Sequence, residues 1–121
     1  MYWCYRCYAV NRRASGVCVR CGQPIQAPPG LSFEDQLVWA LGHPDGSRPL
    51  LAAKTLGVRR ASAALPALRR VVDDGADPFL AVEALRSAIA IAGCDDLRGW
   101  LQQLPESDSF MVSAVARQAL A

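Results

Sequence analysis

Apolar positions from residue 32 onward recur at spacings of three and four, and this stripe predicts a run of short helices. Phe33, Leu37 and Leu41 fall at i, i+4 and i+8, with Val38 beside them. Ser32 is placed as their N-cap with Asp35 as the capping-box acid, and Gly42-His43-Pro44 stops the helix. A second helix is expected from about Ser47 to Leu56, carrying Leu50, Leu51 and Leu56 and ending at Gly57. A third runs from Ala61 to Val72 with Leu65, Leu68 and Val72 on one face. Pro66 stands near its first turn, where a missing N–H costs least. Asp73-Asp74-Gly75 reads as a turn. The fourth helix opens at Asp77-Pro78, an N-cap followed by a first-turn proline, carries Phe79, Val82, Leu85, Ile89 and Ala92, and closes at Gly93. A fifth spans about Asp95 to Leu104 and ends at Pro105. The sixth starts at Ser109 and holds Phe110, Ala114, Val115 and Leu120.

Six helices with short links suggest three antiparallel pairs, and an internal repeat supports this. Residues 49–56 (PLLAAKTL) align with residues 78–85 (PFLAVEAL), 29 positions later. Phe79-Leu80 and Ala88-Ile89 align with Phe110-Met111 and Ala119-Leu120, 31 positions later. One such pair cannot bury its own apolar face, so repeated pairs stack. The run Leu56-Gly57, then Ala64-Leu65-Pro66-Ala67-Leu68, an acidic turn and Pro78, resembles HEAT repeats of the short bacterial kind, also found in phycobilisome lyases. The resemblance covers about residues 33–121 in three degenerate units and implies an α-solenoid. It carries no lyase activity with it, because the repeat is a scaffold with many uses. A plain six-helix bundle is the alternative.

The first 30 residues differ in every respect. They hold Arg6, Arg12, Arg13 and Arg20 and no acid, a local charge of +4 in a chain of 121 residues whose net charge is +2. Residues 22–30 (GQPIQAPPG) contain three prolines and two glycines, which forbid a helix and favour a stiff, extended connector. The expected organisation is a small unit over residues 1–25, a linker over 22–30 and a helical domain over 31–121. No apolar run is long enough for a membrane helix. The N-terminus lacks a basic stretch followed by an apolar one, so a cytoplasmic location is expected.

Four of the five cysteines crowd the first unit as Cys4-x2-Cys7-x10-Cys18-x2-Cys21. Each C-x-x-C places two thiolates on one turn, and two such pairs complete a tetrahedron around zinc. A segment this short cannot fold on an apolar core and needs a metal or disulfides. Two disulfides would require an oxidising compartment, and redox-active C-x-x-C motifs come singly at a helix start. One structural zinc is therefore expected, its four sulfur ligands leaving no open position for catalysis. Trp3, the two cysteine pairs, Asn11 and Gly22 together resemble the zinc finger of Ran-binding proteins and Npl4 over residues 1–25. That resemblance implies two crossed β-hairpins around one zinc. The family's tryptophan stands two residues before the first cysteine, where this chain has Tyr2. Its members bind ubiquitin or single-stranded RNA. The ubiquitin-binding Thr-Phe is replaced by Tyr8-Ala9, and Arg20 occupies the apolar slot of the last C-x-x-C. The base-stacking aromatic of RNA binders is replaced by Arg12, and their arginine pair falls on Ala14-Ser15. The scaffold is implied, and its known ligands are not. Arg12 and Arg13 remain available for phosphate, and Tyr8 for stacking on a base.

The other chemistry is sparse. His43, the single histidine, is read as a turn residue, and Trp39 and Trp100 as core residues on their helices. Cys94, after Gly93, is expected to be a small buried apolar residue. Arg59-Arg60 and Arg69-Arg70 read as solvated faces, and Asp73, Asp74, Asp95 and Asp96 as turn caps. If the second helices of each pair line one surface, Lys54, Glu83, Arg86 and Arg117 face a partner. No nucleophile–base pair or phosphate loop is visible. The reading is a non-enzymatic adaptor that engages a protein through Lys54, Glu83 and Arg86. Nucleic-acid binding by the finger through Arg12 and Arg13 is the alternative, expected to be weak. Neither a membrane nor a small-molecule substrate is expected.

Overall fold

The structure, a computed structural model, describes residues 2–13, 16–26, 29–44, 46–75, 77–104 and 109–121. The expected stop at Pro105, the Ala14-Ser15 pair and residues 27–28 of the linker lie outside the described residues. The described residues form a small cysteine-bearing hairpin unit followed by six α-helices and, between the second and third, a 3-10 turn at Ser62–Ala64. Among the described residues, no helix is long and apolar enough to cross a membrane.

The helices are α1 (Phe33–Ala40), α2 (Ser47–Val58), α3 (Leu65–Asp74), α4 (Pro78–Asp96), α5 (Arg98–Leu101) and α6 (Phe110–Leu120). Side-chain caps set the starts of α1, α4 and α6. The Ser32 hydroxyl accepts from the Asp35 N–H at 3.0 Å. The Asp77 carboxylate accepts from Phe79 and Leu80 at 2.9 and 3.3 Å. The Ser109 hydroxyl accepts from Val112 at 3.3 Å. Each satisfies N–H groups that the first turn would leave without a partner. Gly75 ends α3 in the left-handed conformation, φ 60°, where a Cβ is penalised. Gly93, at φ 83°, breaks α4, and the chain resumes a helical turn to Asp96. That extra turn takes up residues expected in the fifth helix, so α5 is a single turn, although Leu104 beyond it is still buried.

Helices adjacent in the chain pack in pairs, α1 on α2, α3 on α4 and α5 on α6. The second members also touch, α2 on α4 and α4 on α6, which puts α4 at the centre. Ala81, Ala84, Leu85 and Ala88 of α4 are fully buried, together with Leu56, Leu68 and Leu101 from its neighbours. Each such leucine contributes about 1.5–3 kcal/mol by leaving water. The small side chains let α2 approach α4 closely. A Cβ on Gly57 would lie 2.5–2.9 Å from Ser87 atoms, including its Cα, and the Ser87 hydroxyl donates to the Ala53 carbonyl at 2.6 Å. Trp100 is buried as expected, with its indole N–H donated to Asp73 at 3.0 Å and Arg69 over its ring at 4.9 Å. Asp73 therefore holds a neighbouring helix. Arg59 likewise bridges to α1, pairing with Glu34 at 3.7 Å and lying over the Phe33 ring at 5.1 Å. Cys94 is partly buried and packs on the core.

The N-terminal unit has its own core of Cys4, Cys18 and Ile25, distinct from the helical one. Strands β1 (Tyr2–Trp3) and β2 (Val10–Asn11) pair antiparallel, Tyr2 opposite Asn11 and Trp3 opposite Val10. The second cysteine pair is framed by a bridge between Val17 and Pro24. Ile25 donates to Gly16 at 3.1 Å and accepts from Tyr5 at 3.0 Å, tying the two halves together. The knuckle thus runs through Ile25, into the stretch where the linker composition begins.

Candidate functional site

The four sulfurs of Cys4, Cys7, Cys18 and Cys21 all lie within 4.8 Å of one another. Cys4 and Cys21 are 3.6 Å apart, as are Cys7 and Cys18. A disulfide needs about 2.05 Å, so these are free thiols. A tetrahedron of sulfurs about 2.3 Å from a central ion has edges of about 3.8 Å, and the observed spacing fits that shape. The cluster is a four-ligand site able to hold one metal ion.

Two matching loops build it. In each C-x-x-C, the residue after the second cysteine donates its N–H to the carbonyl of the first: Tyr8 to Cys4 at 2.9 Å and Gly22 to Cys18 at 3.0 Å. Both residues have positive φ, 63° for Tyr8 and 75° for Gly22. Glycine meets that requirement without cost, whereas tyrosine bears about 1–2 kcal/mol of backbone strain there. Asn11 joins the loops. It is buried, its amide donates to the Ala9 carbonyl at 3.0 Å and to the Cys18 sulfur at 3.6 Å, and its carbonyl accepts from Val19 at 3.0 Å.

The surroundings spread the thiol acidities. Backbone N–H groups of Cys21 and Arg20 favour the Cys18 thiolate and lower its pKa to about 6. For Cys7, the Ala9 N–H pulls down, but burial and the neighbouring sulfurs outweigh it and push the thiol up to about 11. Four thiolates held this closely repel one another, and a cation among them removes that conflict. Asn11 and these N–H groups are the outer support that metal ligands need.

The knuckle sits on α1 through aromatic rings. Tyr5 meets Trp39 edge-on at 5.1 Å, and His43 takes Tyr8 at 4.4 Å and Trp3 at 5.8 Å. Trp39 is therefore not a member of the buried helical core as the sequence suggested; it is half-buried and serves the junction. His43 likewise does more than terminate a helix. A cleft of about 310 Å³ opens between the two parts, lined by Tyr5, Tyr8, Gln36, Trp39, His43 and Arg48 among others. Burial raises the Tyr8 phenol pKa, and the charge of Arg48 partly counters it. No sequence pattern announced this cleft, because it depends on how two separately stabilised parts meet.

The residues that the sequence assigned to a partner surface fall in two places. Lys54, Glu83 and Arg86 come together around one groove of about 450 Å³ on α2 and α4, floored by Leu50, Leu51, Phe79 and Val82 and reached by Met111 of α6. Leu51 and Phe79 are exposed there, at 66% and 63%. Arg117 does not line it. Arg12 and Arg13 flank a different depression of about 500 Å³ on the knuckle, beside the exposed Val17 and Val19. Comparison with protein-family models, with characterised proteins and with solved structures finds no match to this chain.

Proposed function

We propose that the protein is a non-enzymatic adaptor in which a structural zinc knuckle of the Ran-binding-protein type is joined to a short HEAT-like solenoid that grips a protein partner. The observation that carries this reading is the groove that gathers Lys54, Glu83 and Arg86 around the exposed side chains of Leu51 and Phe79. Exposed apolar surface rimmed by charge is the usual form of a protein contact. Two pairs of groove residues, Leu50 with Phe79 and Lys54 with Glu83, are aligned positions of the sequence repeat. The aligned Leu50, Phe79 and Phe110 open α2, α4 and α6, and Phe79 and Phe110 are left outside the core. The pairing of α1 with α2, α3 with α4 and α5 with α6, with the second members in a row, supports a solenoid of three pairs. Zinc is favoured over other ions by four thiolate ligands at tetrahedral spacing. A closed sulfur sphere gives the metal a folding role.

The test is photo-crosslinking from a benzophenone side chain placed at Phe79, in extract of the native source with and without nuclease. The expected result is a protein adduct that survives nuclease and disappears when Leu51→Asp is added, with helicity unchanged. A second reading, nucleic-acid binding, is favoured by Arg12 and Arg13 beside the exposed Val17 and Val19 of the knuckle. It becomes the better one if adducts form only from a probe at Val19, vanish with nuclease and weaken steeply with salt.

A further inference from the structure

We propose that the cleft between the knuckle and α1 binds a single nucleotide, its base among the aromatic rings and its phosphate at Arg48. Two ring pairs flank the space, Tyr5 with Trp39 and Tyr8 with His43, at 5.1 and 4.4 Å between centroids. A flat ligand stacks in such a setting whatever its identity, because every base has a π face. Gln36 adds an amide that both donates and accepts, the hydrogen-bonding pattern that matches base edges. Arg48 supplies the anion contact. Among the described residues lining the cleft, none is acidic, so the electrostatic preference is for a negatively charged ligand. The volume of about 310 Å³ stands at the low end of the ~300–1,000 Å³ of small-molecule sites. It suits one nucleotide and not a longer stretch.

Tyr8 gives an independent reason to look here. The corresponding position of the twin loop is Gly22, and both are left-handed. A tyrosine at that position is strained, and strain of this kind marks sites where a side chain is held for a purpose. What the strain achieves is visible: it delivers the Tyr8 ring to His43 and to the wall of the cleft. The nucleotide is a ligand, either free or as one residue of a single strand.

The experiment is an NMR titration of the full, ¹⁵N-labelled chain with adenosine, guanosine, cytidine and uridine 5′-monophosphates, and separately with a six-residue single-stranded oligonucleotide. The reporter is the Trp39 indole N–H. The Trp100 indole, bonded to Asp73, is the internal control. A saturable Trp39 shift with half-saturation below about 1 mM is expected, with Trp100 unmoved. Arg48→Gln, a change at an exposed residue, should raise the half-saturation at least about tenfold by removing a charge-assisted contact. Shifts with the monophosphates assign the site to free nucleotides, and shifts with the oligonucleotide alone assign it to a strand. The proposal is overturned if neither moves Trp39, if Trp100 moves equally, or if Arg48→Gln has no effect. Phe79→Asp, in the groove of the adaptor reading, should leave the titration unchanged, so the two proposals fail separately.

Discussion

The two parts of this chain solve the same problem by different means. Among the described residues, the helical part buries nineteen apolar residues in one continuous cluster, with α4 at its centre. The knuckle buries three, and two of those are cysteines. Hydrophobic burial can hold the first. It is too small to hold the second, where hydrogen bonds aimed at sulfur surround a site able to take a metal ion. A chain can therefore carry two kinds of stability side by side, and each kind answers to its own perturbation. The parts touch through rings on their surfaces, and among the described residues their buried clusters are separate.

The largest separation of the two should come from removing the metal. A structural zinc, as proposed for this site, would supply on the order of 10 kcal/mol to the folding of such a unit, and the cysteine cluster is separate from the helical core. Chelation, or Cys7→Ser, is expected to abolish the amide dispersion of residues 2–25 while circular dichroism at 222 nm stays near its starting value. A cooperative loss of helicity on chelation would show that the parts share one folding unit. Acid should act in the same direction. Metal binding depresses the thiol pKa values, so its contribution is present at high pH and lost as pH falls. With Cys18 at about 6 and Cys7 at about 11 in the absence of metal, at least one proton must leave on binding anywhere between those values. Metal affinity should rise at least about tenfold per pH unit there, measured by competition with a chromophoric chelator.

The converse perturbation is Gly57→Ala. The added methyl would meet Ser87 at 2.5–2.9 Å, and forcing α2 from α4 should cost about 1–3 kcal/mol. A lower melting temperature with unchanged metal content is the expected outcome. An unchanged or higher melting temperature would mean that α2 and α4 separate freely.

Gly57 also shows where sequence reasoning reaches its limit. At Gly75 and Gly93 the glycine punctuates a helix, as its position after an apolar stripe suggests, and φ is positive at both. Gly57 has the same sequence context but lies inside α2 and serves a close helix crossing. Local pattern cannot tell these cases apart, because the second depends on a residue thirty positions away. The caps at Ser32 and Asp77 were legible because a cap is a bond within one turn. The cysteine cluster was legible because spacing alone confines its geometry. Trp39 misled because its apolar stripe is real, yet its ring is claimed by Tyr5 of the other part.

A smaller effect is expected within the knuckle. Asn11→Ala removes a donor to the Cys18 sulfur and the acceptor that holds Val19. Outer partners of this kind typically contribute 10–100-fold in metal affinity, and a loss of about tenfold is expected in the same chelator competition. Retention of full affinity would place the order of the second loop in its backbone bonds alone.

The smallest effect tests how separable the parts are. Tyr8→Gly relieves a left-handed tyrosine, a gain of about 1–2 kcal/mol. It also frees the unfolded chain, which offsets about 0.4–1 kcal/mol of that. The balance, about 0.8 kcal/mol at the midpoints, means that metal affinity should rise by about fourfold at most. What the substitution removes is the ring that packs on His43 at 4.4 Å, an aromatic contact worth about 0.5–1.5 kcal/mol. That contact belongs to the junction and not to either core. The knuckle should keep its metal but sit less firmly on α1, seen as a shift of the Trp39 indole resonance toward that of an exposed tryptophan. A fall in metal affinity of more than about tenfold would place Tyr8 within the knuckle's own support. The boundary between the two kinds of stability would then have to move past α1, with the aromatic junction counted as part of the metal site.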